Sequence, residues 1–213
     1  MAVNREPYPA SLEIDYPQKL DRLTTFVRTL LSIPILIVLS VLVGSGSESY
    51  TNQAGDDMTA TGLGITGGLF VATALMIIFR QRYPRWWFNF ALELNRFTAR
   101  ISAYLLLLTD RYPSTVDKQS VHLEVKYPNV KTELNRWLPL IKWLLAVPHY
   151  VILLFLFISV ILATIIAWFA ILFTGQYPKS LFEFVVGVSR WSLRVEAYAF
   201  LLTTDIYPPF SLK

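Results

Sequence analysis

The amino-acid sequence describes an all-α integral membrane protein built from two tandem modules, and three observations lead there. Hydrophobic residues fill 54% of its 213 positions and charged residues 16%, with a mean hydropathy of +0.46, a balance foreign to soluble domains. Between Leu134 and Phe173 the ionisable side chains are Arg136, Lys142 and His149, and from Tyr150 to Phe173 there is none. Such a run is long enough to cross the hydrocarbon of a bilayer. The third observation is a set of short motifs that recurs in the same order in both halves of the chain.

Leu12-Glu13-Ile14-Asp15-Tyr16-Pro17 returns as Leu123-Glu124-Val125-Lys126-Tyr127-Pro128, and Leu30-Leu31-Ser32-Ile33-Pro34 as Leu144-Leu145-Ala146-Val147-Pro148. Gln81-Arg82-Tyr83-Pro84 is echoed by Gly175-Gln176-Tyr177-Pro178, and Arg96, Arg100, Ala103 and Tyr104 by Arg190, Arg194, Ala197 and Tyr198. Each unit closes on Asp-x-Tyr-Pro, at Asp110 and at Asp205. The expected modules are residues 1–113 and 114–213, each holding a transmembrane hairpin and an interfacial amphipathic helix.

Each module opens on an extended segment. Leu12, Ile14 and Tyr16 alternate with Glu13 and Asp15, and the proline that follows confines such a strand to a short or edge position. In the first module the spans are expected at about 23–43 and 62–79. They are joined by a Gly-, Ser- and Thr-rich loop over 44–61. The second module lacks that loop. Its apolar run is too long for one straight crossing, because 36 helical residues extend about 54 Å against a hydrocarbon thickness of about 30 Å. Spans at about 138–157 and 159–173, turning near Phe157 to Val160, are therefore expected.

Charge sets the orientation. Loop 44–61 has no Lys or Arg and carries Glu48, Asp56 and Asp57, whereas Arg80, Arg82, Arg85, Arg111, Lys118, Lys126, Lys131 and Lys179 lie in the other connections. Four spans place every basic connection on one side, which predicts cytoplasmic termini and loop 44–61 outside. Residues 1–20 contain no apolar leader, so insertion is expected to rely on the internal spans.

The amphipathic helices are expected at 84–108 and 178–204, each beginning at a proline, where a missing N–H costs nothing. Asn89, Glu93, Arg96 and Arg100 share one track of the first, beside an apolar track of Phe90, Leu94, Phe97, Ile101 and Leu105. Glu183, Arg190 and Arg194 align on the second. A charge at mid-bilayer costs roughly 2.5–3.5 kcal/mol, so these helices belong in the interface. There Arg96, Arg100, Arg190 and Arg194, with Glu93 and Glu183, are the candidates for meeting an anionic headgroup or lining a polar path. Pro34 and Pro148 are candidate kinks within spans. Seven Tyr-Pro dipeptides read as anchors at the lipid–water boundary. His149 reads as a satisfied buried or interfacial group.

The chain has no cysteine, and its two histidines sit in unlike settings, so no metal, cofactor or nucleic-acid partner is expected. No nucleophile, zinc or phosphate-loop motif is present; Gly64 to Gly68 lacks the Lys-Ser/Thr that a phosphate loop requires.

The runs WLPLIKWLLAVPHYVILLF and FAILFTGQYPKSLFEFVVGVSRWSLRVEAYAFLLT, with the closing DIYPPF, resemble a bacterial membrane family catalogued as domain of unknown function 4389. The likeness reaches the whole chain if the first module is a diverged copy, which departs by its acidic loop and by Pro113-Ser114 in place of Pro208-Pro209-Phe210. The resemblance implies a bacterial inner-membrane location and assigns no activity. The expected role is that of a non-enzymatic accessory or scaffold subunit, in contact with the bilayer and with other membrane proteins or further copies of itself. The alternative is a small channel or transporter with its path between the modules. A lipid-acting enzyme using Glu93 or Glu183 comes third.

Overall fold

The computed structural model describes residues 8–43, 47–51, 57–61, 64–114 and 119–213. It is mostly helical. Strand β1 (Ala10–Ile14) leads into α1 (Arg22–Val43), the hairpin β2 (Ser47–Thr51) and β3 (Asp57–Thr61), then α2 (Ile65–Leu75), which ends in a π-helical turn over Met76–Arg80. Helix α3 (Arg85–Leu105), strand β4 (Val121–Val125) and the short α4 (Val130–Glu133) and α5 (Pro139–Leu145) precede the long α6 (Val147–Thr174) and α7 (Lys179–Ala199).

Two features correct the sequence-based picture. The fold is not purely helical: the extended segments pair with each other, β1 against β4, antiparallel, with Leu12 opposite Leu123. Ala10, Leu12, Val121, Leu123 and Val125 point inward, whereas Ser11, Glu13, His122 and Glu124 face out. The turn expected near Phe157 to Val160 is also absent, and α6 is one continuous helix. No glycine or proline interrupts the chain between Pro148 and Gly175, so nothing breaks the hydrogen-bond ladder. The helix ends at Gly175, whose φ of 74° is the left-handed conformation that closes helices. At 28 residues it extends about 42 Å. Pro148 stands in its first turn, a favourable proline position, whereas Pro34 lies inside α1.

The elements form three layers. The β1–β4 sheet lies on one side of α3 and α7: Arg96 Nε donates to the Leu123 carbonyl (3.0 Å) and Arg190 Nε to that of Leu12 (3.1 Å). On the other side lie the apolar helices. Helix α6 runs back along α7 after a four-residue connection, bringing His149 to Trp191 and Tyr150 to Phe200. Helix α1 lies on α3, with Ile35 packed against Phe97 and Ile101. The start of α1 meets the end of α6, where Leu20 N donates to the Gly175 carbonyl (2.9 Å) and Trp168 Nε1 to that of Thr25 (3.2 Å).

Helices α1 and α6 are long and apolar enough to cross a membrane. Only 17% and 22% of their most apolar stretches are buried within the protein, which leaves Leu23, Phe26, Leu30 and Val41 exposed on α1 and Leu154, Phe155, Ile161 and Phe173 on α6. A core helix of a soluble protein would be mostly covered. Helix α7, expected in the interface, is instead the covered middle of the stack, buried from Phe182 through Ala199 on most of its faces.

The C-terminal tail closes over α7. Arg190 Nη1 donates to the Leu212 carbonyl (3.4 Å), and the Arg194 guanidinium donates to the carbonyls of Ser211 (3.2 Å) and Lys213. A Cβ at Gly187 would stand 2.7 Å from the Leu212 carbonyl oxygen. Gly187→Ala is therefore expected to lift the tail and to cost about 1–3 kcal/mol, read as a lower melting temperature and faster proteolysis after Tyr207.

Candidate functional site

Three constellations of polar side chains lie inside this fold. The first is a pair of buried cations. Lys142 on α5 is 1% exposed, its Nζ lies 2.7 Å from Asp205 Oδ1, and it also donates to the Thr204 carbonyl (2.7 Å). Arg28 on α1, 3% exposed, meets Asp110 and donates to the Tyr104 carbonyl (2.9 Å). Each cation also sits over a tyrosine ring, Arg28 at 4.6 Å from the centroid of Tyr104 and Lys142 at 5.2 Å from that of Tyr198. Each aspartate accepts a further bond from a backbone N–H, Asp110 from Asp21 (2.7 Å) and Asp205 from Asn135 (2.5 Å). Three residues before each aspartate, Leu107 (φ 64°) and Leu202 (φ 56°) adopt left-handed backbone, a strain of about 1–2 kcal/mol each. Their burial holds them there, at 4% and 0% exposed.

The second constellation is the arginine clamps. Besides its bond to Leu123, Arg96 pairs with Glu93 (2.7 Å), and Arg100 donates to the Ser114 carbonyl (2.5 Å). Together with Arg190 and Arg194, these side chains spend their donors chiefly on main-chain carbonyls. Glu183 is exposed and 3.9 Å from Lys179. The Tyr-Pro tyrosines take a related part: Tyr16 OH donates to the Tyr177 carbonyl (2.5 Å) with its ring against Phe182, and Tyr127 OH to the Tyr83 carbonyl with its ring against Phe88. Tyr83 and Tyr177 are themselves buried within the protein. His149 is fully buried, stacked on Phe210 at 4.0 Å and accepting from Trp191 Nε1 (3.1 Å), with its Nε2 lacking a partner among the described residues.

The third is a cavity of about 680 Å³ between α2, α3, α6 and α7. Its wall is mainly apolar, with Phe70, Leu94, Leu153, Leu154, Phe157 and Phe200 among its members, and among the described residues Glu196 of α7 is the one charged side chain on it. A second cavity of about 260 Å³, under the β1–β4 sheet, shares Asn95, Phe157, Ser192 and Glu196 with the first. Burial without a compensating cation pushes the Glu196 carboxyl up to about 7. The sequence reading passed over Glu196 because it shares no track with the arginines. The signal was there: a lone acid within Val195-Glu196-Ala197, on a helix otherwise turning small and apolar. Arg28 and Lys142 were equally legible as cations at matching places within apolar runs.

Among the described residues no group of three or more His, Asp or Glu stands close enough to hold a metal ion. Residues 137–211 match the model of a family described as Domain of unknown function (DUF4389), a segment that runs from the start of α5 through the tail. No curated protein and no solved structure matches the chain.

Two stability measurements follow from this geometry. Lys142→Ala leaves Asp205 half-enclosed without its cation and is expected to cost about 2–4 kcal/mol, with much of the loss absent when Asp205→Asn is combined with it in a double-mutant cycle. For Glu196 the folded state holds its proton more tightly than the unfolded chain, where the group titrates at 4.5. Stability therefore falls as pH rises from 4.5 to about 7 and stays lower above that. Glu196→Gln removes this loss, so the variant should exceed the wild type by about 1–3 kcal/mol at alkaline pH and match it at acid pH, measured by denaturant melts.

Proposed function

We propose that the chain is a non-enzymatic membrane scaffold made of two copies of one module, seated in a single leaflet with both termini on the cytoplasmic face of the inner membrane. The observation that carries the one-sided seating is that both ends of α6 are fastened to the same body. Its C-terminal end bonds Leu20 beside β1, and the residues just before its N-terminal end bond the Asp205 loop and Tyr207. Between those ends lies α7, and behind α7 the sheet with Glu13 and Glu124 exposed. Were α6 to stand across the bilayer, that sheet would lie at lipid depth, and each exposed acid would cost roughly 2.5–3.5 kcal/mol. Lying in the membrane plane, α6 and α1 turn their exposed apolar faces to acyl chains and leave the sheet in water.

Contacts that repeat at matching places support the duplicated architecture. Arg28–Asp110–Tyr104 has its counterpart in Lys142–Asp205–Tyr198, and Gln81 (φ 46°) stands where Gly175 (φ 74°) does. Equivalent residues Leu12 and Leu123 face each other at the centre of the sheet, so an approximate two-fold axis passes between them. Arg82, Arg85, Lys126 and Lys131 surround a cleft at the start of α3, beside the apolar layer, and suit anionic headgroups. With the four stripe arginines bound to main chain, scaffolding is favoured over conduction.

The absence of cysteine makes the seating measurable by single-cysteine labelling in sealed vesicles. Glu124→Cys, Ser49→Cys in β2 and Ser211→Cys are all expected to react with an impermeant maleimide from one and the same side. Reaction of Ser49→Cys from the opposite side would establish crossings by α1 and α2 and overturn the in-plane reading.

A further inference from the structure

The polar side chains on the large cavity are arranged for a ligand that the scaffold does not itself supply. Glu196 has no hydrogen-bond donor or cation against it among the described residues, and Ser192, one turn earlier on α7, has no side-chain partner either. The Tyr150 hydroxyl on α6 is buried without a partner on the same wall. Three unpaired polar groups within an apolar chamber are costly unless something bonds them. The volume lies within the range of about 300–1,000 Å³ found for small-molecule sites. Leu154, Phe157 and Phe200 are each both exposed and part of the wall, so the chamber opens beside the outer apolar face.

Charge decides the class of ligand. A single carboxylate offers too few oxygens for a calcium or magnesium ion. An anionic headgroup would meet a like charge. An ammonium group on an apolar body satisfies both the carboxylate and the wall. We propose that this cavity binds a membrane-soluble primary amine, its ammonium paired with Glu196 and bonded by the Tyr150 and Ser192 hydroxyl oxygens, its alkyl chain lying along Leu153, Leu154 and Phe157.

Groups facing Glu196 leave its charge state to itself. Helix α3 presents Asn95 and Thr98, α6 presents Tyr150 and Phe157, β1 and β4 present Leu12 and Leu123, and α7 itself presents Ser192. Among the described residues the other titratable side chains on either cavity are the phenols of Tyr83 and Tyr150, uncharged near neutral pH. Because Glu196 titrates at about 7, the site gains its negative charge as pH rises through that value, while an alkylamine stays protonated.

The test uses the full chain in non-ionic detergent and dodecylamine carrying a dansyl group at the end opposite the amine. Saturable fluorescence enhancement is expected, about tenfold tighter at pH 8.5 than at pH 5.5. The matching dansyl alcohol should bind weakly and without pH dependence. Glu196→Gln should lose about tenfold in affinity at pH 8.5 and flatten the profile. Leu154→Trp, at an exposed rim position that can enlarge without disturbing the core, should weaken amine binding while keeping the pH dependence. Equal binding of amine and alcohol, or an affinity unmoved by both substitutions, overturns the amine site and leaves a plain acyl-chain groove. Enhancement that never saturates means partition into micelles and overturns it as well.

Discussion

The fold depends on one exchange. The carbonyl of Leu12, in the N-terminal strand, is held by Arg190 from the last helix, and the carbonyl of Leu123, in the central strand, by Arg96 from α3. A two-stranded ribbon is marginal by itself in water. Here each strand takes its fixed place from an arginine far away in sequence, and each arginine can be half-buried because a strand carbonyl receives it. Tyr16 and Tyr127 repeat the exchange, each reaching the carbonyl of a Tyr-Pro tyrosine that begins the helix its own strand packs against. Removing either strand would strip both an arginine and a main-chain carbonyl of their partners, so neither half is complete without the other.

The layering follows from this. With the arginines turned toward the sheet, the opposite faces of α3 and α7 are free to be apolar, and α1 and α6 cover them. Those outer helices then have no protein left to bury their second faces. Lipid is the solvent in which exposed Phe155, Ile161 and Phe173 cost nothing. The buried ion pairs sit where the layers join: Arg28 and Lys142 leave the ends of apolar helices and reach back to Asp110 and Asp205 in the loops that follow α3 and α7. They fix how the apolar outer layer docks on the rest. Their geometry supports them further through the tyrosine rings beneath and the backbone N–H groups on the aspartates.

Much of this was legible in the chain. Alternation in Leu12-Glu13-Ile14 located the strands, proline located the starts of α3 and α7, and the glycine-rich loop marked the break after α1. Pairing between the strands was invisible, because a pattern of period two says which face is buried and nothing about the partner. The length of α6 misled for a physical reason. Comparing residue count with bilayer thickness assumes a helix that stands upright and says nothing of a helix fastened at both ends, as α6 is to α7 and to the start of α1. Spacing puts the arginines on one track of each helix, yet periodicity cannot distinguish a face turned to headgroups from one turned to strand carbonyls. Tyr-Pro likewise marked junctions correctly, while the burial of Tyr83 and Tyr177 came only from packing.

The two halves match where packing demands it and differ around the large cavity. The position on α3 that corresponds to Glu196 is Ser102, a small neutral group on the wall of the lesser cavity. The first half also breaks its apolar path, ending α1 at Val43 and resuming at Ile65, whereas α6 runs on without interruption. Thr66 and Gly67, at the restart, form part of the cavity wall beside Leu154 and Phe157 of the unbroken helix. Gly67, which has no side chain, fills little of the space there. Opening a chamber and setting an unpaired acid into its wall both lower stability, one through lost dispersion contacts and the other through desolvation. Differences of that kind between the two halves are not explained by packing, because packing would be better served without them. Those two costs are what a bound ligand would offset.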